Sequence, residues 1–191
     1  MHEIFELKRR LLEVAKQKEA LLFGEFNLSA GGTSNYYFDG RILTLDPEGA
    51  YLTAKILLPL ILDCGAEAIA GPTLGADPIV SSVASLSYIE KTSVPALIVR
   101  KETKSHGGMK SVEGSLREGM KVAVVDDTCT SGSSIFHAVK VLEEEGCEVV
   151  KIFSIMDKDN IGIFGHSFGG MTAFYLGYHN PKIKSCFALD G

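Results

Sequence analysis

Hydrophobic positions along the chain follow two different periods. Near the N-terminus Ile4, Leu7, Leu11, Val14 and Ala15 recur at helical spacing with Lys, Arg and Glu between them. This predicts an amphipathic helix ending near Gly24. The stretch FGEFNLSAGGTSNYYFDGR (23–41) is rich in Gly, Ser and Asn and predicts a loop running into a short aromatic strand. A second helix is expected from Pro47 to Asp63, bent or shifted at Pro59. Beyond it, short apolar runs alternate with helical stretches. AEAIAG (66–71), VPALIV (94–99), KVAVVD (121–126) and CEVVKIFSIMD (147–157) predict strands. DPIVSSVASLSYIEK predicts a helix with Asp77 as its N-cap and Pro78 at the first helical position. SSIFHAVKVLEEEG (133–146) predicts a helix closed by Gly146. Strand–helix–strand alternation with continuous Val/Ile runs implies an α/β fold, a mostly parallel sheet covered by helices on both faces.

Composition narrows the picture. A chain of 191 residues is one domain long and buries enough surface to hold a core without disulfides or a metal. Its net charge of −5 argues against general nucleic-acid binding, although local basic clusters remain able to bind phosphate. Cys64, Cys129, Cys147 and Cys186 form no C-x-x-C pair and no zinc-like spacing with the histidines, so free thiols and no metal ligands are expected. The N-terminus is too charged for a signal peptide, and no apolar run approaches the ~20 residues of a membrane span. A cytoplasmic protein with no membrane partner is the expectation.

The candidate chemistry is concentrated in VAVVDDTCTSGSS (122–134). A buried strand ends at two adjacent carboxylates, Asp126 and Asp127; small hydroxyl residues and Gly132 come next, and then a helix begins. Small residues let backbone N–H groups turn inward, and the helix N-terminus adds partial positive charge, which together cradle a phosphate monoester. Carboxylates would repel that phosphate, so hydrogen bonding to the hydroxyls of an attached sugar suits them better. A P-loop or dinucleotide fingerprint is absent. The bland alternative is a strand–turn–helix with no ligand.

A hydrophobic strand, Asp-Asp, then Thr/Ser/Gly resembles the phosphoribosyl pyrophosphate (PRPP) motif of type I phosphoribosyltransferases. The resemblance implies that family's fold: a parallel sheet of about five strands flanked by helices, with a small N-terminal hood. It also implies that Asp126 and Asp127 hold the ribose hydroxyls. Thr128, Cys129, Thr130, Ser131, Gly132, Ser133 and Ser134 would form the 5′-phosphate loop. RKETKSHGGMKSVEG (100–114) is aperiodic and basic. Taken alone it is a solvated loop or a lid carrying cations onto a polyanionic leaving group. It is similar to the lid of orotate phosphoribosyltransferases, in which Lys and His reach across a dimer interface. That resemblance makes Lys104 and His106 catalytic and adds Arg100 and Lys101 to the PRPP ligands. The hood segment 23–41 and GPTLGADPI (71–79) resemble the orotate-side hood and the pyrophosphate loop of the same branch.

Three positions depart from that pattern. Ser29 replaces a hood lysine, Leu74-Gly75 a Tyr-Lys pair, and Lys158 an arginine that pairs with the orotate carboxylate. Lysine keeps that charge but loses the bidentate fork. With Thr130 and Lys158 facing the base, the resemblance implies transfer of ribose-5-phosphate from PRPP to orotate, with Mg2+ held mainly by substrate oxygens, in a homodimer.

The resemblance covers residues 1–158, read as the phosphoribosyltransferase domain. The segment 159–191 is different: Gly165-His166-Ser167-Phe168-Gly169 comes after an apolar run, a helix-like stretch and a further apolar run are next, and Asp190 follows them, with only Gly191 beyond it. It resembles the nucleophile elbow of platelet-activating-factor acetylhydrolase-like α/β-hydrolases, which implies a chimeric chain. No histidine follows Asp190 to complete the triad order, so Ser167 is expected to be inactive. A Ser167 esterase and a non-catalytic PRPP-binding regulator are the rival classes.

Overall fold

The structure is a computed structural model that describes residues 2–27, 33–101, 110–129 and 132–157. In chain order its elements are α1 (His2–Gln17), β1 (Leu21–Asn27), β2 (Thr33–Phe38), α2 (Gly40–Thr44), α3 (Pro47–Asp63), β3 (Ala68–Pro72) and α4 (Asp77–Ile89). They continue as β4 (Ala96–Val99), β5 (Val112–Glu113), β6 (Lys121–Cys129), α5 (Ser133–Glu144) and β7 (Glu148–Asp157).

The main sheet has five strands in the order β5-β4-β3-β6-β7. Pairings β3–β4, β3–β6 and β6–β7 are parallel, and β5 closes one edge antiparallel to β4. Strand side chains alternate between faces, as a period of two requires. On β6, Ala123 and Val125 join the core built by α1, α3 and α4, with Leu11, Val14, Ile56, Leu57, Ile61, Ile79 and Val83. Val122 and Val124 join the opposite core, with Ile135, Val139 and Leu142 of α5. Both faces of the sheet are therefore dry, which is why its strands read as unbroken apolar runs.

From β3 the chain moves outward to β4 and then returns to β6 on the other side of β3. This reversal makes the carboxyl ends of β3 and β6 a topological switch point, the place where open α/β sheets bind ligands. The hood is a separate antiparallel pair, β1–β2, with Leu21 opposite Phe38 and Phe23 opposite Tyr36.

Local chemistry explains most of the element boundaries. The Asp46 side chain caps α3 by accepting from the Glu48 and Gly49 N–H groups at 3.0 and 3.1 Å, and Pro47 lies in the first turn. The helix continues through Pro59 to Asp63. Three expectations need correction. Helix α1 stops at Gln17 rather than near Gly24, because residues from Leu21 onward pair with β2. The N-cap of α4 is Ala76, not Asp77; the Asp77 carboxylate instead accepts from Thr73 Oγ1 at 2.9 Å. Strand β6 runs past Asp126 to Cys129, because β7 pairs with it as far as Cys129–Asp157. Among the described residues Cys64, Cys129 and Cys147 form no disulfide, and Cys186 falls outside them. No helix among the described residues is long and apolar enough to cross a membrane.

Candidate active site

A cleft of about 370 Å³ opens at the switch point, within the size range of small-molecule sites. Four segments build it: Tyr37 to Arg41 from the hood and α2, Pro72 to Gly75 after β3, Lys101 after β4, and Asp126 to Thr128 with Ser134 from β6 and α5. The sequence spreads these residues over almost a hundred positions, and the sheet topology gathers them at one edge.

The floor is the acidic pair. Asp126 is 6% exposed, and its Oδ1 accepts from the Asp127 N–H at 3.0 Å. Burial, and then repulsion from Asp127, push the Asp126 carboxyl up to about 7, while Lys101 pulls in the opposite direction. Burial also raises Asp127. Arg41 pulls Asp127 down in turn, and both cations act from a distance rather than as direct ion pairs, so burial still dominates both carboxyls. The pair is suited to receiving hydroxyl donors or a cation.

Two glycines hold that floor in place. A Cβ on Gly40 would lie 2.6 Å from Asp127 Cβ, and one on Gly75 would lie 2.6 Å from Asp127 Oδ1 and 3.0 Å from Asp126 Oδ1. The backbones of α2 and of the loop after β3 thus press against Asp127 from separate segments. Opposite them α5 begins. Gly132 is its N-cap at φ +73°, a left-handed conformation that favours glycine, and no side chain caps the helix. A helix start of this kind directs its partial positive charge at an anion.

Asp126, Asp127, Thr128, Ser134 and Lys101 share the cleft, and Ser133 is the first residue of α5. Thr128 and Cys129, expected within the loop, are the last residues of β6, and the Cys129 side chain is buried in the core beside α5. Arg100 lies outside the cleft. Its guanidinium pairs with Glu113 at 2.7 Å, beside a neighbouring hollow formed with Thr73, Ile98 and Lys101. Lys104, His106, Thr130, Ser131, Lys158, Ser167 and Asp190 fall outside the described residues, as does Ser29.

Sequence reasoning missed Arg41. It lines the cleft beside Tyr37 and Phe38, steadied by Asp39 through Nε–Oδ1 and Nη2–Oδ2 contacts of 3.3 Å each. That pairing raises the Arg41 pKa and lowers that of Asp39. The available signal was the polar Asp39-Gly40-Arg41 run directly after an aromatic strand.

Comparison with known proteins agrees with this geometry. The profile of the phosphoribosyl transferase domain matches residues 56–160. The orotate phosphoribosyltransferase of Aquifex aeolicus is 40% identical over 156 residues, covering 82% of each chain. That of Nostoc sp. is 43% identical over 161 residues, covering 84% of this chain and 77% of the relative. The crystal structure of the Mycobacterium tuberculosis H37Rv orotate phosphoribosyltransferase in complex with PRPP superposes with a TM-score of 0.60 at 30% identity. That match covers 75% of this chain and 80% of the other. None of these matches supports the hydrolase reading of the tail, and the domain profile ends before Ser167.

Proposed function

Because the chain belongs to the orotate phosphoribosyltransferase family, we propose that this cleft transfers ribose-5-phosphate from PRPP to N1 of orotate, giving orotidine 5′-monophosphate and diphosphate. The observation that carries the reading is the buried Asp126–Asp127 pair facing the cleft next to the uncapped, glycine-led start of α5. A sugar phosphate satisfies both features at once. The ribose 2′ and 3′ hydroxyls donate to the two carboxylates, and the 5′-phosphate accepts from the turn and the first N–H groups of α5. Thr128, Gly132, Ser133 and Ser134 frame that turn, and Thr130 and Ser131 complete it. Cys129 contributes through its backbone, since its thiol is committed to the core.

With the ribose so placed, the diphosphate lies against the loop Thr73–Gly75 and Lys101. Tyr37 and Phe38 offer the cleft its aromatic surface, a natural face for a planar base. Arg41 stands on the same wall and supplies a forked cation for an anionic base. Thr130 and Lys158 face the base in this reading. Lys104 and His106, carried on the lid and shared across a homodimer interface, neutralise the departing diphosphate. Arg100 supports that region from the adjoining hollow. The C1′–diphosphate bond loosens first, the sugar takes on oxocarbenium character, and N1 of orotate forms the new bond as its proton is given up to water or to the diphosphate that leaves. Positioning and charge stabilisation supply the rate, with no covalent enzyme intermediate.

Magnesium fits this site in a limited way. No cluster of three or more His, Cys, Asp or Glu among the described residues could cage an ion, yet the buried acidic pair presents hard oxygen donors towards the cleft. An ion brought in by the diphosphate and touching Asp126 or Asp127 suits the habits of Mg2+. When bound, it would supply charge neutralisation on the leaving group.

The phosphoribosyltransferase domain is proposed to span 1–158, with 159–191 an appended segment for which no Ser167 chemistry is assigned. A base panel tests the function. With PRPP and Mg2+, diphosphate release is expected with orotate and not with uracil, adenine or hypoxanthine. Preference for a purine, or hydrolysis of p-nitrophenyl acetate in place of transfer, would overturn it.

A further inference from the structure

His137 lies outside the cleft and has no part in the chemistry described above, yet it makes a polar contact that joins α5 to the end of β4. Its Nε2 sits 2.9 Å from the Arg100 carbonyl oxygen, across 37 positions of sequence. A carbonyl only accepts, so Nε2 carries the hydrogen and donates. The remaining groups of Arg100 are also held. Its N–H donates to the Ser111 carbonyl at 2.9 Å, and its guanidinium pairs with Glu113 at 2.7 Å. One residue earlier, the Val99 carbonyl accepts from the Thr73 N–H at 2.9 Å. The strand end is therefore fastened to three segments: the loop after β3, the β5 edge, and α5.

Directly beyond this clamp is Lys101, whose side chain lines the cleft and bears electrostatically on Asp126. On α5, Ser134 lines the same cleft. His137 stands three residues further on, a spacing that puts both on one face of the helix. A single helix face thus reaches the phosphate end of the site and the backbone from which its diphosphate-side cation departs.

We propose that His137 is a positioning residue. By holding the Arg100 carbonyl it fixes the origin of Lys101, and so ties the cation that meets the diphosphate to the helix that binds the 5′-phosphate. The inference rests on the PRPP reading of the cleft, but not on the identity of the base. Losing the bond frees the strand end by one of its tethers and leaves the Arg100 carbonyl half-buried without its donor. Its effect is to misplace Lys101 rather than to unfold the domain.

The test is a double-mutant cycle read by titration calorimetry with PRPP and Mg2+. His137→Ala is expected to weaken PRPP three- to tenfold, roughly the worth of one net hydrogen bond. His137→Gln, whose amide nitrogen can replace Nε2, should return affinity to within about twofold. In a Lys101→Met background His137→Ala should add less than about twofold, since the two changes act through the same cation. An equal loss with and without Lys101, or no loss at all, would overturn the proposal. Wild-type protein that binds PRPP but consumes no orotate would refute the substrate assignment and leave this cycle valid. Wild-type protein that does not bind PRPP would overturn both.

Discussion

Replacing Asp126 by Asn should make the unliganded protein more stable at high pH while disabling its sugar site. Asn is nearly isosteric, and its Oδ1 can still accept from the Asp127 N–H that now reaches Asp126 Oδ1 at 3.0 Å. What it removes is charge. The Asp126 carboxyl is raised from 3.8 to about 7 by burial and by Asp127, so the native state holds a proton that the unfolded chain has released. Native protein thus binds more protons between these values, and stability must fall as pH rises through that window and level off above it. From pH 5 to pH 8 the loss is on the order of 2–3 kcal/mol, from roughly two pH units over which the native state alone keeps the proton. Urea denaturation of wild type and Asp126→Asn at both pH values reads the titration of the acidic pair, because groups remote from Asp126 and Asp127 largely cancel in the difference. The stability of the variant relative to wild type should improve by about that amount between pH 5 and pH 8, and calorimetry should show PRPP binding weakened or lost. A stability difference that does not move with pH would refute the claim that this carboxylate is buried at an energetic cost. Undiminished PRPP binding would remove Asp126 from the sugar site.

Other perturbations probe neighbouring parts of the cleft. Gly75→Ala places a methyl group 2.6 Å from Asp127 Oδ1 and should weaken PRPP about tenfold, or about 1.4 kcal/mol, without changing the circular dichroism spectrum. Unchanged affinity would detach the loop after β3 from the site. Arg41→Ala should raise the KM for orotate more than the KM for PRPP; the reverse pattern would move its charge to the diphosphate side. Lys104→Ala should lower kcat far more than it weakens PRPP binding, because it acts on charge that develops as the diphosphate leaves. An unchanged kcat would remove the lid from the mechanism.

Parts of this fold were legible in the sequence because they depend on local chemistry. Asp46-Pro47 announces α3, Gly132 announces the start of α5, and the apolar runs of β3, β4, β6 and β7 mark a sheet buried on both faces. The acidic pair was legible for a similar reason, since two carboxylates at the end of an apolar strand have no comfortable structural role. Features that depend on distant pairing were not legible. The two-residue strand β5 is too short to show a period, and it exists because Val112 finds Val99 and Glu113 finds Ile98. Thr128 and Cys129 read as loop by composition but are strand because β7 extends alongside them. Asp77 has the residue type and the following proline of an N-cap, yet Thr73 claims its carboxylate. Arg41 and His137 look like ordinary surface residues until the sheet brings Asp127 near one and the Arg100 carbonyl to the other.

The measurement closest to the central claim is orotate depletion, followed by absorbance with PRPP and Mg2+, for the 191-residue chain and for Asp126→Asn in parallel. The account predicts steady conversion to orotidine 5′-monophosphate with diphosphate released one for one, and its loss in the variant. Folded wild-type protein that binds PRPP and leaves orotate untouched would contradict it.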